Sequence, residues 1–128
     1  MHAIGILHND LKLNNIVLHG KQLELLKVID FGKVTLITSP VTYNLNSEEK
    51  MRYNKYHSYL AYELCNVPNA KQSVLTDTYS VGYCLKHIGH DCEQFLLDTG
   101  RKMKTPSPSD RLQLQDALSL LKTYLKKS

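Results

Sequence analysis

Residues 33 to about 57 are irregular and polar, contain Ser39-Pro40, and lie in the middle of the chain. A loop of that length inside a compact domain is either functional or disordered. It separates two different kinds of sequence. Ahead of it, Ile16-Val17-Leu18 and Leu23 to Ile29 read as short strands, joined by a turn at His19-Gly20-Lys21-Gln22. Two such runs around a short polar turn form a hairpin, and Gly32 punctuates the chain after it. Behind the loop, Val74 to Ile88 is apolar enough for a buried helix and Asp91 to Met103 suits another. Thr105-Pro106-Ser107-Pro108 then breaks the chain. A last helix is expected to start after Ser109 as its N-cap, because Leu112, Leu114, Ala117, Leu118, Leu121 and Leu125 recur at roughly helical spacing. The expected order is a small hairpin, a long loop and helices, an α+β fold that is mainly helical. Met1 to Leu7 is short and apolar, lacks an N-cap, and reads as the end of something longer.

A length of 128 residues allows one domain with a real core. The net charge of +4 is mild and no long Lys/Arg run marks a nucleic-acid arm, so no nucleic-acid partner is expected. Arg101-Lys102-Met103-Lys104 and Lys126-Lys127 read as solvated faces. Cys65, Cys84 and Cys92 are odd in number and lack a short paired spacing, which argues against a disulfide framework or a zinc site. Reduced thiols imply an intracellular protein, cytoplasmic or nuclear. His8, Asp10 and Lys12 interrupt any signal-like apolar stretch, and no run reaches the length of a membrane span, so no membrane partner is expected either.

The chemistry concentrates near the start. In His8-Asn9-Asp10-Leu11-Lys12-Leu13-Asn14-Asn15, Asp10 and Asn15 stand five residues apart with Lys12 between them. A second acidic group follows in Asp30-Phe31-Gly32, at the end of a strand. Phosphoryl transfer needs a carboxylate to receive a hydroxyl proton, oxygen ligands for magnesium, and a cation for the phosphate. Singly, each residue has a plainer reading. His8 would be a packed or surface histidine, Asp10 and Asn15 turn formers, Asp77 a helix cap, and Arg111 surface charge. The four tyrosines at 43, 53, 56 and 59 are best explained by loop packing.

Taken in order, the residues carry a resemblance. His8-Asn9-Asp10-Leu11 with Asn15, followed by Asp30-Phe31-Gly32, is similar to the protein kinase signature H-R-D-L-x-x-x-N and D-F-G, with Asn9 in place of the arginine. Tyr59-Leu60-Ala61-Tyr62-Glu63 resembles the A-P-E segment, Asp77-Thr78-Tyr79-Ser80-Val81-Gly82 the start of the family's F helix, and Asp110-Arg111 the arginine before its I helix. The resemblance covers essentially all 128 residues. It implies a kinase C-terminal lobe, with a catalytic loop at 8–15, an activation segment at 30–63, the F helix from about 76 and the I helix from about 110.

The roles it implies are specific. Asp10 would be the catalytic base and Lys12 would steady the transferred phosphate. Asn15 and Asp30 would hold magnesium, and Val17 would lie under the adenine of ATP. His8 and Phe31, before Gly32, would stack in a hydrophobic spine anchored by Asp77. Glu63 and Arg111 would form a buried ion pair. The implied activity is ATP- and magnesium-dependent transfer to a protein hydroxyl, Ser or Thr, since Lys12 is of the serine/threonine type.

Several positions depart from the family pattern. Asn9 removes the arginine that pairs with a phosphorylated activation loop in many kinases, so control by that route is not expected. Tyr62 replaces the proline of A-P-E, and Tyr56 falls where a threonine usually bridges base and lysine. The region of the G helix is short. A Gly-rich loop, a strand lysine and the C-helix glutamate are not found, so the N-terminal lobe is expected to be missing, or a partner to cover the exposed face. Two other readings remain: a lobe that binds partners without catalysis, and a small-molecule phosphotransferase of the same fold.

Overall fold

The structure is a computed structural model that describes residues 2–19, 25–91 and 94–127. Among the described residues, three two-stranded antiparallel ribbons accompany five α-helices. Strands β2 (Ile16–His19) and β3 (Leu25–Val28) form the expected hairpin, with Ile16 opposite Val28. The turn expected between them lies largely outside the described residues. Strand β1 (Ile6–Leu7) pairs with β4 (Thr35–Leu36), which ties the first residues to the segment after Gly32. Strand β5 (Thr42–Tyr43) pairs with β6 (Ala70–Lys71), just ahead of the long helices.

The long loop holds more regular structure than its sequence pattern suggests. Helix α1 (Ser47–Tyr56) occupies ten of its residues. Its start is chemically well specified: the Asn46 side chain accepts from Glu49 N–H, and the Glu49 side chain accepts from Asn46 N–H. This reciprocal capping box satisfies two amides that a helix otherwise leaves open. Glu48 and Glu49 lie at the N-terminal end and Lys55 near the C-terminal end, each with the favourable sign for the helix dipole. An apolar-period criterion misses this helix because Tyr53 is its only buried residue.

Helix α2 (Tyr62–Asn66) begins at the A-P-E-like segment. Around it lies a buried cluster of Tyr53, Tyr59, Leu60, Ala61, Leu64 and Cys65, against which Tyr43, Leu45, Tyr79 and Tyr83 pack. Tyr53 donates to Ala61 O at 2.8 Å, so its hydroxyl is satisfied inside the cluster. Three of the four loop tyrosines are thus packing residues, whereas Tyr56 is 62% exposed.

Helices α3 (Val74–Asp91) and α4 (Gln94–Met103) form the main helical pair. They approach backbone to backbone at two glycines. A Cβ on Gly82 would lie 2.6 Å from Met103 Cβ and 2.7 Å from Gly100 O, and one on Gly100 would lie 2.6 Å from Gly82 O. No side chain fits at that crossing. Lys104 follows α4 and places its ammonium 5.1 Å from the Tyr83 ring centre and 5.6 Å from that of Tyr79. The reading of the 101–104 cluster as purely solvated therefore needs correction at Lys104, whose pKa burial pushes down.

The last helix, α5 (Leu114–Lys127), starts later than expected. Residues Pro108–Asp110 form a 3-10 turn that contains Ser109, and Arg111 is extended at φ −71°, ψ 137°. The side chain of Arg111, 4% exposed, donates back to Thr105 O and Pro106 O, which ties down the chain ahead of α5 while the Arg111 backbone is extended. No helix among the described residues is long and apolar enough to cross a membrane.

Candidate active site

His8, Asn9, Asp10 and Asn15, in the segment expected to be the catalytic loop, are all buried. What fixes them is Asp77, in the first turn of α3. Its carboxylate accepts from His8 N–H at 2.9 Å and Asn9 N–H at 3.0 Å, and meets His2 Nε2 at 2.9 Å. A helix-borne carboxylate, 1% exposed, thereby sets the loop backbone. His8 is fully buried. Asp10 N–H donates to His8 Nδ1 at 3.1 Å, which leaves the Nε2 hydrogen for Ile29 O at 3.3 Å. His8 thus bridges the loop to Ile29, the residue that follows β3.

Asn9 stands at φ 68°, in the left-handed region that Asn tolerates better than most side chains. Its amide nitrogen donates to Lys33 O at 3.0 Å and to Thr35 Oγ1 at 2.8 Å. Where the family pattern has a cation, this chain uses a neutral amide to hold the residues after Gly32. The Asn9 Oδ1 atom is buried without a hydrogen-bond partner among the described residues.

Asp10 is surrounded by donors. Asn15 Nδ2 donates to Asp10 O at 2.8 Å and to Asp10 Oδ2 at 3.1 Å. The Tyr59 hydroxyl donates to Asp10 Oδ1 at 2.6 Å. The Lys12 ammonium lies 5.4 Å from the centre of the Tyr59 ring. Burial and the adjacent Asp10 carboxylate both push the Tyr59 phenol pKa upward, so it remains a donor at neutral pH. Nothing in the sequence pattern singled out Tyr59 for this contact; Tyr56, at the position of the expected threonine, lies at the surface beside Lys55.

Asn15 also connects the two halves of the site, because Ile29 N–H donates to Asn15 O at 2.7 Å. Asp30 follows at φ 60° and is exposed, with Gly32 N–H donating to its Oδ1 at 3.3 Å. The expected stack of His8 and Phe31 is instead an edge contact, with ring centres 5.2 Å apart and planes at 62°. Phe31 is 53% exposed, so its outer face is not covered. Asp77 meets the His8 backbone rather than its ring. Val17 lies on β2 opposite Lys27, and its side chain falls outside the described residues.

Asn15 Nδ2 donates to Asp10, so the acceptor of that side chain is its amide oxygen. An amide oxygen and a carboxylate are hard donors, and they suit magnesium, which takes few protein ligands beside phosphates. No cluster of three or more His, Cys, Asp or Glu among the described residues could hold a metal by itself.

Beneath the site, Arg111 and Glu63 form a two-pronged ion pair, with Nη1 to Oε2 at 2.8 Å and Nη2 to Oε1 at 2.5 Å. Arg111 also donates to Thr105 O, Leu75 O and Pro106 O, and its guanidinium lies 4.9 Å from the Tyr79 ring centre. Cys65 and Cys84 are free and buried, and burial pushes the Cys84 thiol up to about 11, away from reactivity. Cys92 lies outside the described residues.

The geometry therefore joins Asp10 to Asn15 and Tyr59 by hydrogen bonds, sets Lys12 over the Tyr59 ring, and ties Asn15 to Ile29, the residue before Asp30, while Glu63 pairs with Arg111. No curated protein shows a significant match to the chain. The family model for the protein kinase domain, however, matches residues 1–124. The chain belongs to the protein kinase domain family.

Proposed function

We propose that these residues form the acceptor and metal side of a kinase site that transfers the ATP γ-phosphoryl group to a Ser or Thr hydroxyl of a protein. The observation that carries the reading is the double attachment of Asn15. Its side chain meets Asp10 at 2.8 and 3.1 Å, and its backbone oxygen accepts from Ile29, the neighbour of Asp30. In this reading Asp10 receives the proton of the acceptor hydroxyl, and Lys12 steadies the phosphoryl group as it moves. Asn15 Oδ1 and the Asp30 carboxylate would hold magnesium, which when bound would offset the charge of the phosphates. The chain then acts as the C-terminal lobe of one kinase domain, and the buried free thiols Cys65 and Cys84 support an intracellular setting.

The test is transfer of labelled γ-phosphate from Mg-ATP to Ser, Thr and Tyr peptide pools by the full-length protein. Labelling of Ser or Thr that disappears in Asp10→Asn is expected. Labelling of Tyr alone would move the acceptor class. Nucleotide binding without any transfer would leave a lobe that serves as a binding module.

A further inference from the structure

We infer that Tyr59 is a positioning residue of this site, its hydroxyl holding the Asp10 carboxylate while its ring face holds the Lys12 ammonium. The inference rests on the phosphoryl-transfer reading above. Two independent contacts carry it: the hydroxyl donates to Asp10 Oδ1 at 2.6 Å, and Lys12 Nζ lies 5.4 Å from the ring centre. A short bond to an ionised acceptor is the stronger kind of hydrogen bond, and a cation over an aromatic face is attracted by the ring quadrupole.

Tyr59 is suited to hold rather than to gate. It is 6% exposed and belongs to the buried cluster around α2, where Leu60, Ala61 and Leu64 surround it. His57 Nδ1 lies 3.4 Å from the same hydroxyl, and the His57 ring meets the Tyr59 ring edge-on at 6.0 Å. The phenol is thereby constrained from a second side. Asp10 is in turn held on both carboxylate oxygens, by Tyr59 on Oδ1 and by Asn15 on Oδ2. Each oxygen retains a lone pair, so an acceptor hydroxyl can still donate to a carboxylate whose rotation is already set. Tyr56, by contrast, is 62% exposed and has its own lysine, Lys55, 5.2 Å from its ring centre. The link between base and lysine therefore enters this chain three residues later than the position at which a threonine would supply it.

The two contacts can be separated. Tyr59→Phe removes the hydroxyl and keeps the ring under Lys12; Tyr59→Leu removes both. In the full-length protein, Tyr59→Phe is expected to lower kcat about tenfold or more with the KM for ATP within about twofold, and Tyr59→Leu to lower kcat further. A purely structural role would move the urea midpoint without this split. A second measurement needs no turnover: with ¹³Cζ-labelled tyrosine, the resonance missing in Tyr59→Phe identifies Tyr59, and its alkaline titration is followed in Asp10→Asn. Titration at lower pH than in the unsubstituted protein supports the contact. An unmoved Tyr59 titration, or an unchanged kcat in Tyr59→Phe, overturns the inference. Absence of turnover in the unsubstituted protein is a separate result: it removes the phosphoryl-transfer reading and the role of Tyr59 with it, whatever the resonance shows.

Discussion

Arg111 reaches Glu63 across 48 residues of sequence through two parallel hydrogen bonds, and the arginine side chain is fully shielded from solvent. The pair joins helix α2 to the segment between the 3-10 turn Pro108–Asp110 and α5. Removing one member of a buried pair strands the other charge, typically at ~3–5 kcal/mol. The two losses should not be equal here. Glu63→Ala leaves Arg111 with three carbonyl acceptors, whereas Arg111→Ala leaves Glu63 with no cation and also frees those carbonyls. Urea denaturation should rank Arg111→Ala as the more damaging, and the double variant should lose less than the sum. Additive losses would show that the two side chains do not couple.

At Gly82 and Gly100 two physical effects oppose each other. Helix propensity alone favours Ala over Gly by about 1 kcal/mol. The close crossing of α3 and α4 reverses the sign, because the added methyl would meet backbone or Cβ atoms at 2.6 Å. Gly100→Ala is expected to destabilise the chain by about 1–3 kcal/mol, the range of an overpacked core. A rise in the urea midpoint would mean that the helices separate at little cost.

Asp10 and Asp30 should fail differently. In the proposed roles Asp10 touches the acceptor hydroxyl and Asp30 only the metal. In the full-length protein, Asp10→Asn should abolish most turnover while leaving Mg-ATP affinity nearly unchanged. Asp30→Asn should weaken magnesium-dependent nucleotide binding as well, because a charged ligand becomes neutral. Calorimetric titration of Mg-ATP into both variants decides the matter; equal affinities would reject the division of labour.

His57 gives the fold an acid sensitivity. Burial first, and then the charges of Lys33, Lys12 and Arg52, pull its pKa below the ordinary 6.5, with only Asp10 opposing. Between the folded value and 6.5 the unfolded chain binds a proton that the folded chain does not. Stability is therefore fully present above 6.5 and falls as pH drops through that window. Urea midpoints measured at about pH 8 and about pH 5.5 should separate more for the unsubstituted chain than for His57→Gln. An equal separation would mean that His57 titrates normally.

The family of this chain is more legible in its sequence than its architecture. His8-Asn9-Asp10-Leu11 with Asn15, Asp30-Phe31-Gly32 and Asp110-Arg111 stand in the order of the kinase signature, and the family model matches residues 1–124. Helix α1 was not anticipated, because its apolar face is a single buried residue, Tyr53, although the capping signal Asn46-Ser47-Glu48-Glu49 was present in the sequence. The leucine period begins at Leu112, two residues ahead of the first helical residue Leu114, so the pattern alone sets the start of α5 too early. Tyr59 was unreadable for a different reason. Its partner Asp10 is 49 residues away, and no local pattern tells which of four neighbouring tyrosines will face it.

The Asn9 amide bears on how this segment behaves in different solutions. A tie between a guanidinium and a phosphate weakens as counterions accumulate and changes with the charge state of the phosphate. The bonds from Asn9 to Lys33 O and Thr35 Oγ1 join neutral groups within the chain. They have no net charge to screen. The anchorage of residues 33–35 to Asn9 should accordingly hold the same strength in dilute buffer and in concentrated salt, while the Lys12 and Arg52 charges nearby are progressively masked.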